Sequence, residues 1–327
     1  MTCDSMEPIL AFLKNRQGQR VALAVHQRPD GDALGSAMGL ADALRNFGCT
    51  AKVLSPEPLP PYLSFIVDRD LVDETNDPEW WRAYDCLGVL DCGEEGRLEP
   101  VIAAAADRLP VFTVDHHASS KGLGEARWIE PHASSTGEMV LRLCHGAGWP
   151  LSPFAAQALW TAIVTDTGRF SFENTTAAAL EAARDCVAAG ADPAAAASTL
   201  YQCVTMSERR LQKLVLERME LLEEGRLAVA WLEEADFRRA GSGVEDAQNL
   251  INLLRDIAGV EVAIFFYAPP DGAGIKASFR TRSPHDALLV TQKFGGGGHK
   301  RAAGCSLTGT MWDARNAVVA ETRRVYF

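Results

Sequence analysis

In "HQRPDGDALGS", residues 26 to 36, one imidazole and two carboxylates fall within seven positions, separated by proline and glycine. Such a loop can turn several short ligands toward one cation. The same residue types recur downstream: Asp91 in "VLDCG", Asp115, His116 and His117 in "VDHH", and Asp166 in "TDTGRF". Taken singly, each has an ordinary explanation, since an aspartate after a strand often caps a helix and a histidine beside apolar residues is usually a core group. Together, five aspartates and three histidines (His26, Asp30, Asp32, Asp91, Asp115, His116, His117, Asp166) would repel unless a cation lay among them. Oxygen and imidazole ligands without cysteine argue against structural zinc and against calcium. Two Mn²⁺ ions fit best, with Mg²⁺, Fe²⁺ or Co²⁺ as other occupants. Paired metals roughly 3.5–4 Å apart are an arrangement for in-line attack by activated water on phosphorus.

The elements that must carry these groups can be read from periodicity. "RVALAVH" (20–26) is a short apolar run, and "ALGSAMGLADALRNFG" (33–48) has helical spacing closed by Gly48. Strand, polar loop and helix in that order begin an α/β unit. "AKVLS" (51–55), "YDCLGVLD" (84–91) and "PVFTVD" (110–115) predict further buried strands, the last two each ending in aspartate. In an open α/β sheet, groups beyond the carboxyl ends of the strands gather in one crevice. From about 135 to 222 the chain reads helical and alanine-rich. "SSTGE" (134–138) predicts a helix cap with no catalytic role. After Gly225, "RLAVAWL", "VEVAIFFYA" and "GIKASFRTRS" predict strands, with a helix over 244–259. The fold expected is α/β: a mainly parallel-sheet domain over 1–190, a helical linker over 191–225, and a smaller α/β domain over 226–327.

Composition bounds the partners. A formal net charge of -11 argues against a chain that coats duplex nucleic acid. The eight cysteines, Cys3 among them, are scattered without a C-x-x-C pair and read as free thiols of a reducing compartment. With no signal-peptide pattern and no apolar run long enough for a bilayer, a cytoplasmic protein without a membrane partner is expected.

Local charge differs from the global balance. Residues 276–301 carry Lys276, Arg280, Arg282, Lys293, Lys300 and Arg301 against Asp286. They surround "GGGGHKRAAG", in which Gly295, Gly296, Gly297 and Gly298 could let backbone N–H groups approach an anion, followed by His299, Lys300 and Arg301. In "TGRF", Arg169 could face a phosphate, and Phe170 or Phe172 could stack on a base or belong to the core.

"HQRPDGDALGS", "VLDCG", "VDHH", "TDTGRF" and "GGGGHKRAAG", in this order over about residues 5 to 310, resemble the DHH phosphoesterases with a DHHA1-type C-terminal domain. The NrnA-like subgroup of nanoRNases and pAp phosphatases is the nearest in pattern. The resemblance implies one metal held by His26, Asp30 and Asp91, and a second by Asp32, Asp91, His116 and Asp166, with Asp91 shared. It implies that His117 faces the scissile phosphate and that Asp115 orients a histidine. Spacing alone does not say which of His116 and His117 is the ligand. Arg280, the glycine loop and His299 would bind the far phosphate or terminal nucleotide. The stretch "TRSPHDALLVTQK" departs from the family pattern, which leaves substrate preference open.

The activity so implied is hydrolysis of short single-stranded oligoribonucleotides to mononucleotides and of pAp to AMP. The alternative within the class is a phosphodiesterase for pApA, pGpG or cyclic di-AMP. A catalytically silent nucleotide-binding protein would be marked by a lost ligand, and none of the expected ligands is missing. A homodimer is implied by family likeness only.

Overall fold

The computed structural model describes residues 5–327 apart from Glu94, Ala105, Gln248, Ala273 and the side chain of Glu245; Cys3 lies outside the described residues. The chain divides into two compact units, Met1–Cys203 and Val204–Phe327.

The first unit is built on a six-stranded parallel sheet in the order β3-β2-β1-β4-β5-β6. Strands β1 (Arg20–Ala24), β4 (Cys86–Leu90) and β5 (Val111–Asp115) are apolar runs because helices and loops cover both of their faces. β2 (Thr50–Leu54) follows the expected position. The edge strands β3 (Val72–Asp73) and β6 (Ala126–Ile129) carry no run long enough to announce themselves; β6 exposes Arg127 between buried Ala126 and Trp128. Strand order reverses between β1 and β4, the kind of switch point beyond whose carboxyl ends functional groups gather in open α/β sheets.

Helix α1 (Glu7–Lys14) buries Ile9 and Leu13, and α2 (Gly31–Phe47) ends at left-handed Gly48, as the spacing predicts. A short α3 (Pro100–Ala103) precedes β5. The alanine-rich stretch forms α4 (Thr136–Ala147), α5 (Pro153–Asp166), α6 (Ala177–Ala188) and α7 (Pro193–Tyr201). Small residues bring α2 and α5 together: a Cβ on Gly31, Gly35 or Gly39 would overlap Thr165, the Ala158 carbonyl or Leu159. Their fourfold spacing puts all three on one helix face. This close approach lets Asp32 at the start of α2 meet Asp166 at the end of α5.

The second unit is a mixed six-stranded sheet, β11-β12-β10-β9-β8-β7. Its strands are β7 (Glu220–Leu222), β8 (Leu227–Leu232), β9 (Val262–Tyr267), β10 (Ile275–Thr281), β11 (Gly297–His299) and β12 (Ala302–Leu307), with only β8 and β9 parallel. Helices α8 (Met206–Arg218), α9 (Glu234–Ala240), α10 (Ile251–Arg255), α11 (Leu288–Thr291) and α12 (Met311–Tyr326) complete it.

Three details differ from what the sequence predicts. The stretch 191–225 divides: α7 lies in the first unit, whereas α8 buries Leu211 and Val215 in the second unit's core and pairs Arg218 with Asp236. The helix expected over 244–259 is reduced to a 3₁₀ turn, Val244–Ala247, and α10. The glycine loop is partly strand, because Gly297–His299 pairs antiparallel with β12. Among the described residues, no helix is long and apolar enough to cross a membrane.

Candidate metal centre

The groups singled out by their types gather where β1, β4 and β5 end. Asp30 caps a helix while facing a histidine: its Oδ1 accepts from the Asp32 and Ala33 amides as the N-cap of α2. The same oxygen lies 3.9 Å from His26 Nε2. Asp91 follows β4 with φ of 54°, a left-handed conformation that a non-glycine residue rarely adopts. Its Oδ2 faces His26 Nε2 at 3.8 Å, and its Oδ1 faces His116 Nε2 at 3.7 Å. His116 Nε2 also lies 3.6 Å from Asp32 Oδ2 and 3.7 Å from Asp166 Oδ2.

Backbone carbonyls set the tautomers of the two inward histidines. His26 Nδ1 lies 2.8 Å from the Gln27 oxygen and His116 Nδ1 lies 3.3 Å from the Ala133 oxygen. With N–H on Nδ1, the Nε2 lone pair of each ring is directed among the carboxylates. His117 is held differently, its Nδ1 lying 2.7 Å from Asp115 Oδ1.

This donor set suits divalent cations. Two ligands each about 2.1 Å from an ion at the tetrahedral angle stand roughly 3.4 Å apart, a little inside the separations above. His26, Asp30 and Asp91 form one such group, Asp32, His116 and Asp166 another, and Asp91, His116 and His117 a third. The electrostatics point the same way. Burial, then neighbouring carboxylates, pushes Asp91 and Asp166 well above the ordinary aspartate range. Burial raises Asp32 to about 6, against the pull of His116 and the amides of Gly137 and Thr136. Burial lowers His26. Burial alone would raise Asp115, but the His117 hydrogen bond carries it below its ordinary value.

A stability prediction follows. Asp32 rises from 3.8 unfolded to about 6 folded, so the native state holds a proton that the unfolded chain releases. Stability is then lost as pH climbs through that window and stays lost above it. Metal-stripped protein should therefore melt at lower temperature at pH 7.5 than at pH 5. Added divalent cation should raise the melting temperature mainly at the higher pH. Differential scanning calorimetry of stripped and reloaded samples measures both, and equal stabilisation at the two pH values would count against a carboxylate cage.

Several residues of this centre have no obvious signal in the sequence. Ser135 caps α4 as expected, but the next residues do more: Thr136 N and Gly137 N donate to Asp32 at 2.7 and 2.9 Å, and Thr136 Oγ1 donates to Asp91 Oδ1 at 3.0 Å. The available hint is that free amides at a helix start suit anions. Asn174 Nδ2 donates to the Asp166 carbonyl and carboxylate, both at 3.2 Å. Arg169, also at a left-handed φ, lies with its guanidinium over the Tyr201 ring. Phe170 packs against the core of the first unit, while Phe172 is 41% exposed.

In the second unit, the basic segment is less free than its composition suggests. Gly295 and Gly296 donate their amides to the Gln292 and Thr291 carbonyls, closing the turn after α11, so these two N–H groups do not face an anion. Gly298 has φ of 130° at the hairpin, which only glycine adopts readily, whereas Gly297 has open space where a side chain would project. Lys293 pairs with Glu321, and Arg301 donates to the His285 carbonyl. Lys300 is exposed. Arg280 is mostly buried on β10, donates to the Phe279 carbonyl, and has its pKa lowered to about 10 by burial and then by Arg255. Register puts Arg280 and His299 on one sheet face, each opposite Ala302.

Comparison with known proteins agrees in both units. Residues 20–165 match the DHH family, N-terminal domain, and residues 225–325 match the DHHA1 domain. A "Bifunctional oligoribonuclease and PAP phosphatase NrnA" of Thermus thermophilus is 31% identical over 322 residues, 98% of this chain and 94% of its own length. The Bacillus subtilis protein of the same name is 28% identical over 306 residues, covering 92% and 93%. An exopolyphosphatase-related protein from Bacteroides fragilis has a solved structure similar to this chain at TM-score 0.89 and 24% identity, covering 99% and 98%, which shows a shared fold.

Proposed function

The chain belongs to the DHH family, and from that premise we propose that it is a metal-dependent phosphoesterase that hydrolyses short oligoribonucleotides to mononucleotides and pAp to AMP. The observation that carries this reading is the Asp91 carboxylate, whose two oxygens face two different histidine–aspartate groups. His26, Asp30 and Asp91 would hold one divalent cation, and Asp32, Asp91, His116 and Asp166 a second, with Mn²⁺ best suited to the ligand set. Bound there, such ions neutralise phosphate charge and acidify water.

The chain's own residues do the rest. Asp115 holds the His117 ring by its Nδ1–H, which leaves Nε2 as the nitrogen that, when it also carries a proton, donates it or a hydrogen bond to a phosphate oxygen. Arg169 stands beside the Asp166 segment as a cation for the substrate backbone. In the second unit, Arg280 supplies a weakly hydrated guanidinium for an anionic part of the substrate, assisted by His299, Lys300 and one of the Gly297 and Gly298 amides, the other being turned toward β12 by the antiparallel pairing. Arg301, and Gly295 and Gly296, serve this site by shaping the hairpin. The reduced thiols Cys49, Cys86, Cys144, Cys186, Cys203 and Cys305 suit a reducing compartment, the cytoplasm.

The test is a panel of substrates with purified protein and Mn²⁺: labelled di- to pentanucleotides, pAp, pApA, cyclic di-AMP, pyrophosphate and a long single strand. Release of mononucleotide from the short RNAs and phosphate from pAp is expected. Turnover confined to pApA or cyclic di-AMP would replace this reading with a dinucleotide phosphodiesterase. Arg280→Ala should raise KM by about ten- to a hundredfold with little change in kcat, as loss of a remote anion contact does. A defect in kcat alone would remove Arg280 from substrate binding.

A further inference from the structure

The reading of Asp91 as a shared carboxylate sets a geometric demand that its own side chain does not meet. Oδ2 must keep facing His26 while Oδ1 faces His116, a division present here at 3.8 and 3.7 Å. The last torsion of aspartate is broad and nearly two-fold, so nothing intrinsic holds that plane. A turn of the carboxylate would aim both oxygens at one group and leave the other short of a ligand. Burial does not help, because the neighbouring aspartates repel Asp91 from several directions.

Two side chains reach Asp91 Oδ1 from outside the histidine–aspartate groups it faces: His117 Nδ1, 3.4 Å away and closer to Asp115, and the Thr136 hydroxyl, which makes the hydrogen bond. Thr136 is fully buried, and its hydroxyl donates to Asp91 Oδ1 at 3.0 Å. Its own amide donates to Asp32 Oδ2 at 2.7 Å, and the Gly137 amide to Asp32 Oδ1 at 2.9 Å. A single residue at the start of α4 therefore ties together an aspartate from the α2 segment and one from the end of β4. The N-cap role belongs to Ser135, which accepts from the Glu138 amide, so capping does not account for the Thr136 hydroxyl. A hydroxyl has one proton to give, and this one goes to the oxygen facing His116.

We propose that Thr136 is a positioning residue whose hydroxyl fixes the rotation of the Asp91 carboxylate, so that it is shared between two cations instead of turning toward one. This rests on the two-cation reading above.

Thr136→Val tests it, because valine keeps the branched shape and the amide bonds to Asp32 while deleting the hydroxyl. Thr136→Ser restores the donor. Metal-stripped full-length protein is titrated with Mn²⁺ by calorimetry, and the spin-coupled signal of paired ions is followed by electron paramagnetic resonance. Wild type and Thr136→Ser should take up two equivalents and show the coupled signal. In Thr136→Val, binding of the second ion should weaken about ten- to a hundredfold, the range for loss of an outer hydrogen bond at a metal centre. Its kcat should fall at limiting Mn²⁺ and recover at high Mn²⁺, with KM for substrate unchanged. Should valine fail to fold, judged by circular dichroism, Thr136→Ala repeats the titration. Wild-type affinity and coupling in a folded hydroxyl-deleted variant would overturn the proposal while leaving the two-cation reading intact. Failure of wild type to bind two ions would overturn both.

Discussion

Asp91→Asn should lower kcat at least about a thousandfold in Mn²⁺, equivalent to roughly 4 kcal/mol of transition-state stabilisation, and yet make the metal-free protein more heat-stable. Asparagine keeps the shape of the side chain and tolerates the left-handed backbone, φ 54°, that this position requires. It removes the negative charge that would be shared between two cations, which is why turnover should collapse. The stability gain has the same origin. Asp91 is buried among Asp32, Asp30, Asp115 and Asp166, and burial followed by those charges holds its pKa far above normal. A neutral amide in that place escapes both the desolvation of a charge and the repulsion of its neighbours. Steady-state kinetics and melting of the stripped protein check the two halves. Near-wild-type kcat in the purified variant would end the shared-carboxylate scheme, and a lower melting temperature would mean that Asp91 is chiefly a structural residue.

His117→Ala should reduce kcat by about 10²–10⁴, the range for losing a positioned proton donor, while Mn²⁺ affinity stays near wild type. The separation of effects follows from how the two adjacent histidines are held. His116 points Nε2 at Asp32, Asp91 and Asp166, whereas His117 holds Nδ1 against Asp115 at 2.7 Å, with Asp91 Oδ1 farther off at 3.4 Å. Removing His116 should therefore weaken metal binding, and removing His117 should not. Isothermal titration of both variants with Mn²⁺, beside kcat on a dinucleotide, distinguishes them. If His117→Ala lost metal and His116→Ala kept it, the roles assigned to the pair would have to be exchanged. Asp115→Asn should reproduce part of the His117 defect, because an amide holds the ring less firmly than a carboxylate.

Much of the centre is legible in the amino-acid sequence. The strand–loop–helix order around "HQRPDGDALGS", the aspartates closing β4 and β5, and the change of texture after Gly225 are local features, written by period and by turn residues. They are enough to gather His26, Asp30, Asp32, Asp91, His116, His117 and Asp166 at one sheet edge, and the fold brings those residues together there. The glycine run is also visible as a special backbone. Its use is not: Gly295 and Gly296 close a turn with their amides, a matter of which carbonyls fold back to meet them.

Residue type and spacing by themselves determined the two α/β units and the gathering of acid and imidazole groups at the strand ends, because covalent order places strand ends and the groups that follow them. Tertiary structure decided which nitrogen of each histidine faces inward, that Asp30 caps a helix while facing His26, and that Thr136 reaches Asp91 across 45 residues of chain. Such choices depend on hydrogen bonds between segments far apart in sequence, whose directions exist only after α2, α4 and α5 have packed through their small residues.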